Sequence, residues 1–223
     1  GARVIEGGPG RRPSTAEFLA AIEATGAHEV IVLPNDSDSL RVAEIAAHTA
    51  EEAGDVRVVV VPTQAQVQGI AAIAVHEPGR AFDADVVQMA GAARGARHGA
   101  VTVAARRAMT MAGPCEPGDV LGVVQGDFVV VGDDQAAVAV EVVERLLGGG
   151  GELVTLVTGV GGDGLAVEDS RCHGLFSESG WMVRRERVGD ADVPDVEVLL
   201  DALGAALAAQ AGLLDAAEGR GGV

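Results

Sequence analysis

"VIVLPNDSDSL" (residues 30–40) runs from a β-branched apolar stretch through a proline into small polar residues, after which apolar spacing resumes. An apolar run without polar alternation is the pattern of a strand covered on both faces, as parallel sheets require. The strand opens into Pro34, Asn35 and Asp36 at its carboxyl end. Open α/β sheets gather helix N-termini and free backbone amides at that end, so the corner is a candidate binding edge as well as an ordinary helix start.

The same pattern returns downstream. Residues 56–61, "VRVVVV", form a second β-branched run, followed by Pro62, Thr63 and a helical stretch over 66–75. Two successive strand-corner-helix units imply a right-handed crossover that places both corners on one edge of one parallel sheet. Upstream, Ser14 with Glu17 three residues on spells a capping box, and Gly26 ends the helix it opens. Ser37 or Ser39 is expected to cap a helix reaching about residue 53. Downstream, the spacing predicts a helix over 82–96 and a strand over 98–105. A β-hairpin of 120–124 and 128–131 is expected to turn at Gln125-Gly126. Asp133 or Asp134 should cap a helix to Leu147, with a strand following at 153–158. "WMVRRERV" reads as an exposed strand, and residue 193 onward as a helix trailing into disorder at 218–223. The expected class is therefore α/β, a mainly parallel sheet with flanking helices plus a β-hairpin, in one body or two lobes. Residues 1–158 would form the main domain, and 159–223 a divergent segment completing it.

Composition removes several functions. The 223 residues carry a formal charge of −17 and 48% apolar residues. That charge is unsuited to a nucleic-acid groove or an anionic membrane surface, both of which need clustered cations. All 16 basic residues are arginine, so neither a Schiff-base lysine nor a P-loop lysine is available. Cys115 and Cys172 stand far apart and the five histidines are scattered, which argues against a metal site or a disulfide framework. No run approaches the ~18 apolar residues of a membrane span. A cytoplasmic location is expected, and the opening residues, which lack a Met, suggest a piece of a longer chain.

Motifs leave alternatives. Gly159, Gly161 and Gly164 fit G-x-G-x-x-G after a strand, the form of a dinucleotide loop, but the expected acidic residue some ~20 positions on does not follow a clear strand. The acidic residues at the corners serve as readily for helix caps as for ligands. Arg94, Arg97, Arg106 and Arg107 form a basic cluster suited to an acidic partner or to plain solvation.

Six blocks in register, "GGPGRRPSTAEFLAAI", "VIVLPNDSDS", "VPTQAQVQGIAAI", "HGAVTVAAR", "PGDVLGVVQGDFVV" and "GELVTLVTG", resemble the C-terminal domain of the bacterial fatty acid kinase ATP-binding subunit, of the dihydroxyacetone kinase-like family. The resemblance covers about residues 5–160. It implies a non-catalytic α/β module that docks a fatty-acid-binding protein subunit, while ATP and Mg would belong to a separate helical N-terminal domain. The whole would transfer the ATP γ-phosphoryl group to an acyl carboxylate, a step feeding phospholipid metabolism. Position by position, Pro34, Asn35 and Asp36 stand where the family has Pro-Asn-Asn. Pro62, Thr63, Gln68 and Gly69 match Pro-Thr-Lys-Thr-x-Pro-Gln-Gly, with Gln64 in place of the Lys and Val67 in place of the second Pro. Val101, Thr102, Ala104 and Arg106 match Val-Thr-x-Ala-Val-Arg-Asp-Thr, with Arg107 and Ala108 replacing the last pair. The family's closing Gly-Gly-Gln-x-x-Tyr-Pro segment is replaced by "VPDVEVLLDALGAALAAQ", so its final sheet strand is expected to be missing or replaced.

The expected binding set is thus Asn35, Asp36, Thr63, Gln68, Gly69 and Arg106, with no catalytic or metal residues and no cofactor of the chain's own. A homodimer stays open. So do two other functions, a triose kinase or phosphatase domain and a dinucleotide-binding domain using Gly159 to Gly164.

Overall fold

The computed structural model describes residues 2–7, 11–150, 153–158, 182–187 and 196–201. The first helix, α1 (Thr15–Thr25), starts at the expected capping box. The Glu17 N–H donates to Ser14 Oγ at 3.3 Å, and the Ser14 N–H donates back to Glu17 Oε2 at 2.8 Å. Gly26, at φ 61°, ends the helix in the left-handed conformation that lacks steric cost only for glycine.

Strand β1 (Glu29–Val32), helix α2 (Leu40–Ala53) and strand β2 (Arg57–Val60) form the predicted crossover, with the two strands parallel and Val30 opposite Val58. Alternation sends successive side chains to opposite faces. Val30, Val32, Val58 and Val60 pack under α1 and α2 with Phe18, Ile22 and Ala46. Ile31, Leu33 and Val61 meet Ala72, Met89 and Ala93, which belong to α3 (Gln66–Ala74) and α4 (Phe82–Gly95). The pair is covered on both sides, which explains its unbroken apolar runs.

The expectation of one mainly parallel sheet is corrected here. Among the described residues the β1–β2 parallel sheet has two strands. The remaining strands are β3 (Arg97–Val103), β4 (Ala108–Thr110), β5 (Gly113–Cys115), β6 (Val120–Val124), β7 (Asp127–Gly132), β8 (Leu153–Thr158), β9 (Met182–Arg187) and β10 (Val196–Asp201). Six of them form a second sheet in the order β7-β6-β3-β10-β8-β9, antiparallel except for β8 with β9. The physical reason is local for β6 and β7. Gln125 and Gly126 both take positive φ, 50° and 94°, the form of a two-residue hairpin turn that can only join antiparallel strands.

A second correction concerns the C-terminal region. Residues 196–201 are a strand, not the start of the expected helix, and β10 runs antiparallel between β3 and β8. Of the two alternatives expected for the family's final sheet strand, missing or replaced, the replacing segment does supply a strand among the described residues, and it lies inside the sheet. Without it β3 and β8 would each present an unpaired edge, and satisfying those backbone groups outweighs a local helical preference. The small β4–β5 hairpin has no counterpart among the expectations from sequence. Residues 159–164 and 218–223, with their glycine motif and expected disorder, lie outside the described residues.

Helix α5 (Gln135–Leu147), capped by Asp134, whose Oδ1 accepts the Ala137 N–H at 2.8 Å, lies on one face of the large sheet against Val101, Val120, Val130 and Val154. It sits close because Gly99 and Gly122 offer no side chain. A Cβ on either would come within 2.7 Å of Val142. The other face receives α3 through Val157 and, farther along, the base of the β4–β5 hairpin through Leu121 and Val131. Helix α3 thus touches both sheets. Among the described residues no helix is long and apolar enough to cross a membrane.

Candidate functional site

The two corners meet as the crossover requires. The Asn35 N–H donates to Thr63 Oγ1 at 2.9 Å, joining the carboxyl ends of β1 and β2. Thr63 is fully buried. Asn35 takes φ 58°, and its Oδ1 is buried without a hydrogen-bond partner among the described residues. Its carboxamide is seated against Gly69, where a Cβ would lie 2.7 Å from the Asn35 Cγ and Nδ2. Asparagine reaches this left-handed backbone more readily than most residues, and glycine opposite gives its side chain room.

Gln68 is drawn into the scaffold. Its Oε1 accepts the Gln64 N–H at 2.8 Å, and its Nε2 donates to the carbonyls of Ala93 at 3.2 Å and Ala96 at 3.4 Å. The side chain thereby ties the start of α3 to the end of α4. Asp36 faces the other way, onto α2: its Oδ2 accepts from the Ser39 N–H at 3.1 Å and from the Ser39 hydroxyl at 2.7 Å. Ser39 holds the N-cap position of α2, as one of the two expected serines, but makes no side-chain cap bond, and Asp36 instead braces the turn that leads into the helix. Asp38 holds Arg12 in an ion pair, which brings the N-terminal segment and a cation beside the first corner.

The structure therefore unites Asn35, Thr63 and Gly69, links Gln68 to them through Gln64, and leaves Asp36 adjacent but turned toward α2. Arg106 stands apart. It is exposed on the loop after β3, its carbonyl faces the Cys115 thiol at 3.9 Å, and no hydrogen bond or ion pair joins its side chain to the corner among the described residues. The basic cluster is likewise divided: Arg97 donates to the carbonyls of Leu146 and Gly150 at the end of α5, and Arg107 pairs with Glu116 at 3.0 Å. An open recess lined by His28, Glu29, Glu51, Asp55 and Arg57 lies at the opposite, amino-terminal ends of β1 and β2.

Sequence reasoning passes over one polar cluster. Asp85, in the first turn of α4, is 4% exposed and accepts from Arg80 Nη1 at 2.9 Å and the Glu77 N–H at 3.3 Å, with His76 Nδ1 at 2.5 Å. Burial opposes ionisation, but the His76 and Glu77 hydrogen bonds and the nearby positive groups outweigh it and hold the carboxyl below its ordinary value. The signal was the polar run "HEPGR" ahead of an acidic helix start. On β3, burial pushes the half-buried His98 imidazole down, toward the neutral form. Among the described residues, no group of three or more His, Cys, Asp or Glu side chains could hold a metal ion.

The FakA-like C-terminal domain family of fatty acid kinase matches residues 1–172. Protein YloV of Bacillus subtilis (strain 168) is 28% identical over 156 residues, which is 70% of this chain and 28% of YloV. The chain thus spans little more than a quarter of that relative. Among solved structures, a DegV family protein from Eubacterium eligens loaded with heptadecanoic acid superposes with a TM-score of 0.60 at 12% identity, covering 85% of this chain and 78% of the other. The Fatty Acid Kinase (Fak) B3 protein of Streptococcus pneumoniae, loaded with linoleic acid, gives 0.57 at 11%, covering 85% and 76%. DegV of Bacillus subtilis, a fatty acid binding protein, gives 0.51 at 14%, covering 84% and 76%. At such identities the likeness establishes the fold alone.

Proposed function

We propose that this chain, which belongs to the FakA-like C-terminal domain family of fatty acid kinase, is the non-catalytic docking module of such a kinase. The protein as a whole would move the ATP γ-phosphoryl group to an acyl carboxylate presented by a separate fatty-acid-binding protein. The observation that carries this reading is the family match over residues 1–172. The geometry agrees with it. Apart from the Asn35 Oδ1, the polar groups of Asn35, Thr63 and Gln68 bond to one another and to neighbouring backbone, and among the described residues the corner pairs no nucleophile with a base. What the edge presents is the partly exposed Asn35, its carboxamide seated against Gly69 and its oxygen buried, with the exposed Arg12–Asp38 pair beside it. Such a preorganised edge suits recognition of a protein surface more than bond making. In this reading ATP and Mg would be held by another part of the protein, as the resemblance implies.

The test is titration calorimetry of a fatty-acid-loaded DegV-family protein from the same organism into this chain. Asn35→Gly retains the left-handed backbone and removes only the carboxamide. It is expected to weaken association about fivefold or more, the scale of an interface residue that matters, and Arg106→Ala to weaken it as well. No measurable heat with the unmodified chain would overturn the docking function itself.

A further inference from the structure

We infer that the hairpin of β4 and β5 is a docking tip, and that it enters a recess on a partner protein that is apolar at its floor and acidic at its rim. This deepens the docking function proposed above and rests on it. Met109 is 79% exposed and Met111 89% exposed at the hairpin's end. Val4 and Val87 are exposed elsewhere on the chain, but these two long apolar side chains share one three-residue stretch of a short hairpin, and it is apolar side chains exposed together that mark an interaction site.

The hairpin is built to hold its shape without burying them. The Thr110 hydroxyl donates to the Gly113 carbonyl at 2.7 Å and accepts the Ala112 N–H at 3.2 Å, while Gly113 takes φ 126°. At the base, Cys115 is 1% exposed and packs with Ala104, Leu121 and Val131 on the face of the large sheet opposite α5. Arg107 and Glu116 close the two strands across that base at 3.0 Å. A rigid loop with flexible, polarizable tips loses little freedom on binding and adapts to the surface it meets.

Charge selects the partner. Arg107 is neutralised by Glu116, whereas Arg106 is exposed and has no ion pair among the described residues. An arginine without an ion pair at the foot of the hairpin favours an acidic group at the rim of the recess, and methionine and arginine are both enriched in protein interfaces. An anionic bilayer is disfavoured by the chain's net charge of −17, and a single arginine at the hairpin without an ion pair among the described residues falls well short of the roughly four to eight basic residues that draw proteins to such surfaces.

Three proteins decide it: the unmodified chain, Met109→Ser with Met111→Ser, and Arg106→Glu, each checked for an unchanged circular dichroism spectrum and melting temperature. Each is titrated with the palmitate-loaded DegV-family protein of the same organism. Both variants should bind about tenfold more weakly or worse, and the unmodified chain, unlike Arg106→Glu, should lose affinity as salt rises. Equal affinities for all three would overturn the hairpin's role and leave the docking function standing. Failure of the unmodified chain to bind would overturn both. Should the substitutions abolish co-sedimentation with phosphatidylglycerol vesicles, or self-association in sedimentation velocity, and spare the titration, the occupant named here is wrong.

Discussion

Asn35 and Gly69 act as one unit although they lie on different elements. The carboxamide occupies the space a side chain at position 69 would need, so Gly69→Ala must push Asn35 out of its seat or shift the start of α3. Overpacking of this kind costs about 1–3 kcal/mol. An unfolding free energy from guanidinium titration lowered by that amount is the expected outcome, and an unchanged value would show the carboxamide is not seated there. The same contact gives a physical reason for glycine at this place in the sequence. Gln68 shows the reverse lesson: in the sequence its side chain reads as a group offered to a partner, yet both ends of its carboxamide bond to the protein's own backbone.

At the scale of elements, the connection from α3 to α4 depends on Asp85. Three donors converge on a carboxylate that is almost wholly buried, and Arg80 also donates to the Val75 carbonyl at 2.8 Å, closing the loop on the helix end. Unfolded, Asp85 would titrate near the ordinary value of 3.8, and folded it titrates lower. Between the two values the unfolded chain binds more protons, so the contribution to stability is complete above 3.8 and is lost as pH falls through the lowered value. Asp85→Asn is expected to cost about 2 kcal/mol at neutral pH, less than a fully buried ion pair because His76 is half exposed. Urea titrations across the acid range should show a shallower loss of stability in the variant than in the unmodified chain. Parallel acid limbs would assign the clamp to another group.

For the whole molecule the decisive element is β10. It joins β3 to β8, so the large sheet is continuous only through a strand about a hundred residues from one partner and about forty from the other. Glu197 stands opposite Ala100 in that register. Ala100→Cys with Glu197→Cys, in a Cys172→Ser background, should therefore form an intrachain disulfide under mild oxidation, since facing residues of antiparallel strands lie within the span a disulfide bridges. Peptide mapping that finds no such bond would remove β10 from its place. With it, α5 and α3 cover opposite faces of a single sheet and α3 is shared with the parallel pair.

Much of this was legible from residues close together in the chain. The capping box at Ser14, the β1-α2-β2 crossover with its paired corners, the turn at Gln125-Gly126 and the cap at Asp134 are all set by interactions spanning a few residues or by a handedness rule, and each lies where the sequence placed it. The meeting of Asn35 with Thr63 follows from the crossover. Other features needed the folded chain. Whether 196–201 becomes helix or strand, and which way a sheet's strands run, depends on which distant backbone is left with open hydrogen bonds. Whether Gln68 faces outward or inward depends on carbonyls brought to it by α4. Local preference is worth tenths of a kcal/mol per residue, whereas an unsatisfied buried polar group costs about 1–3 kcal/mol, so where the two disagree the contacts of the assembled fold prevail.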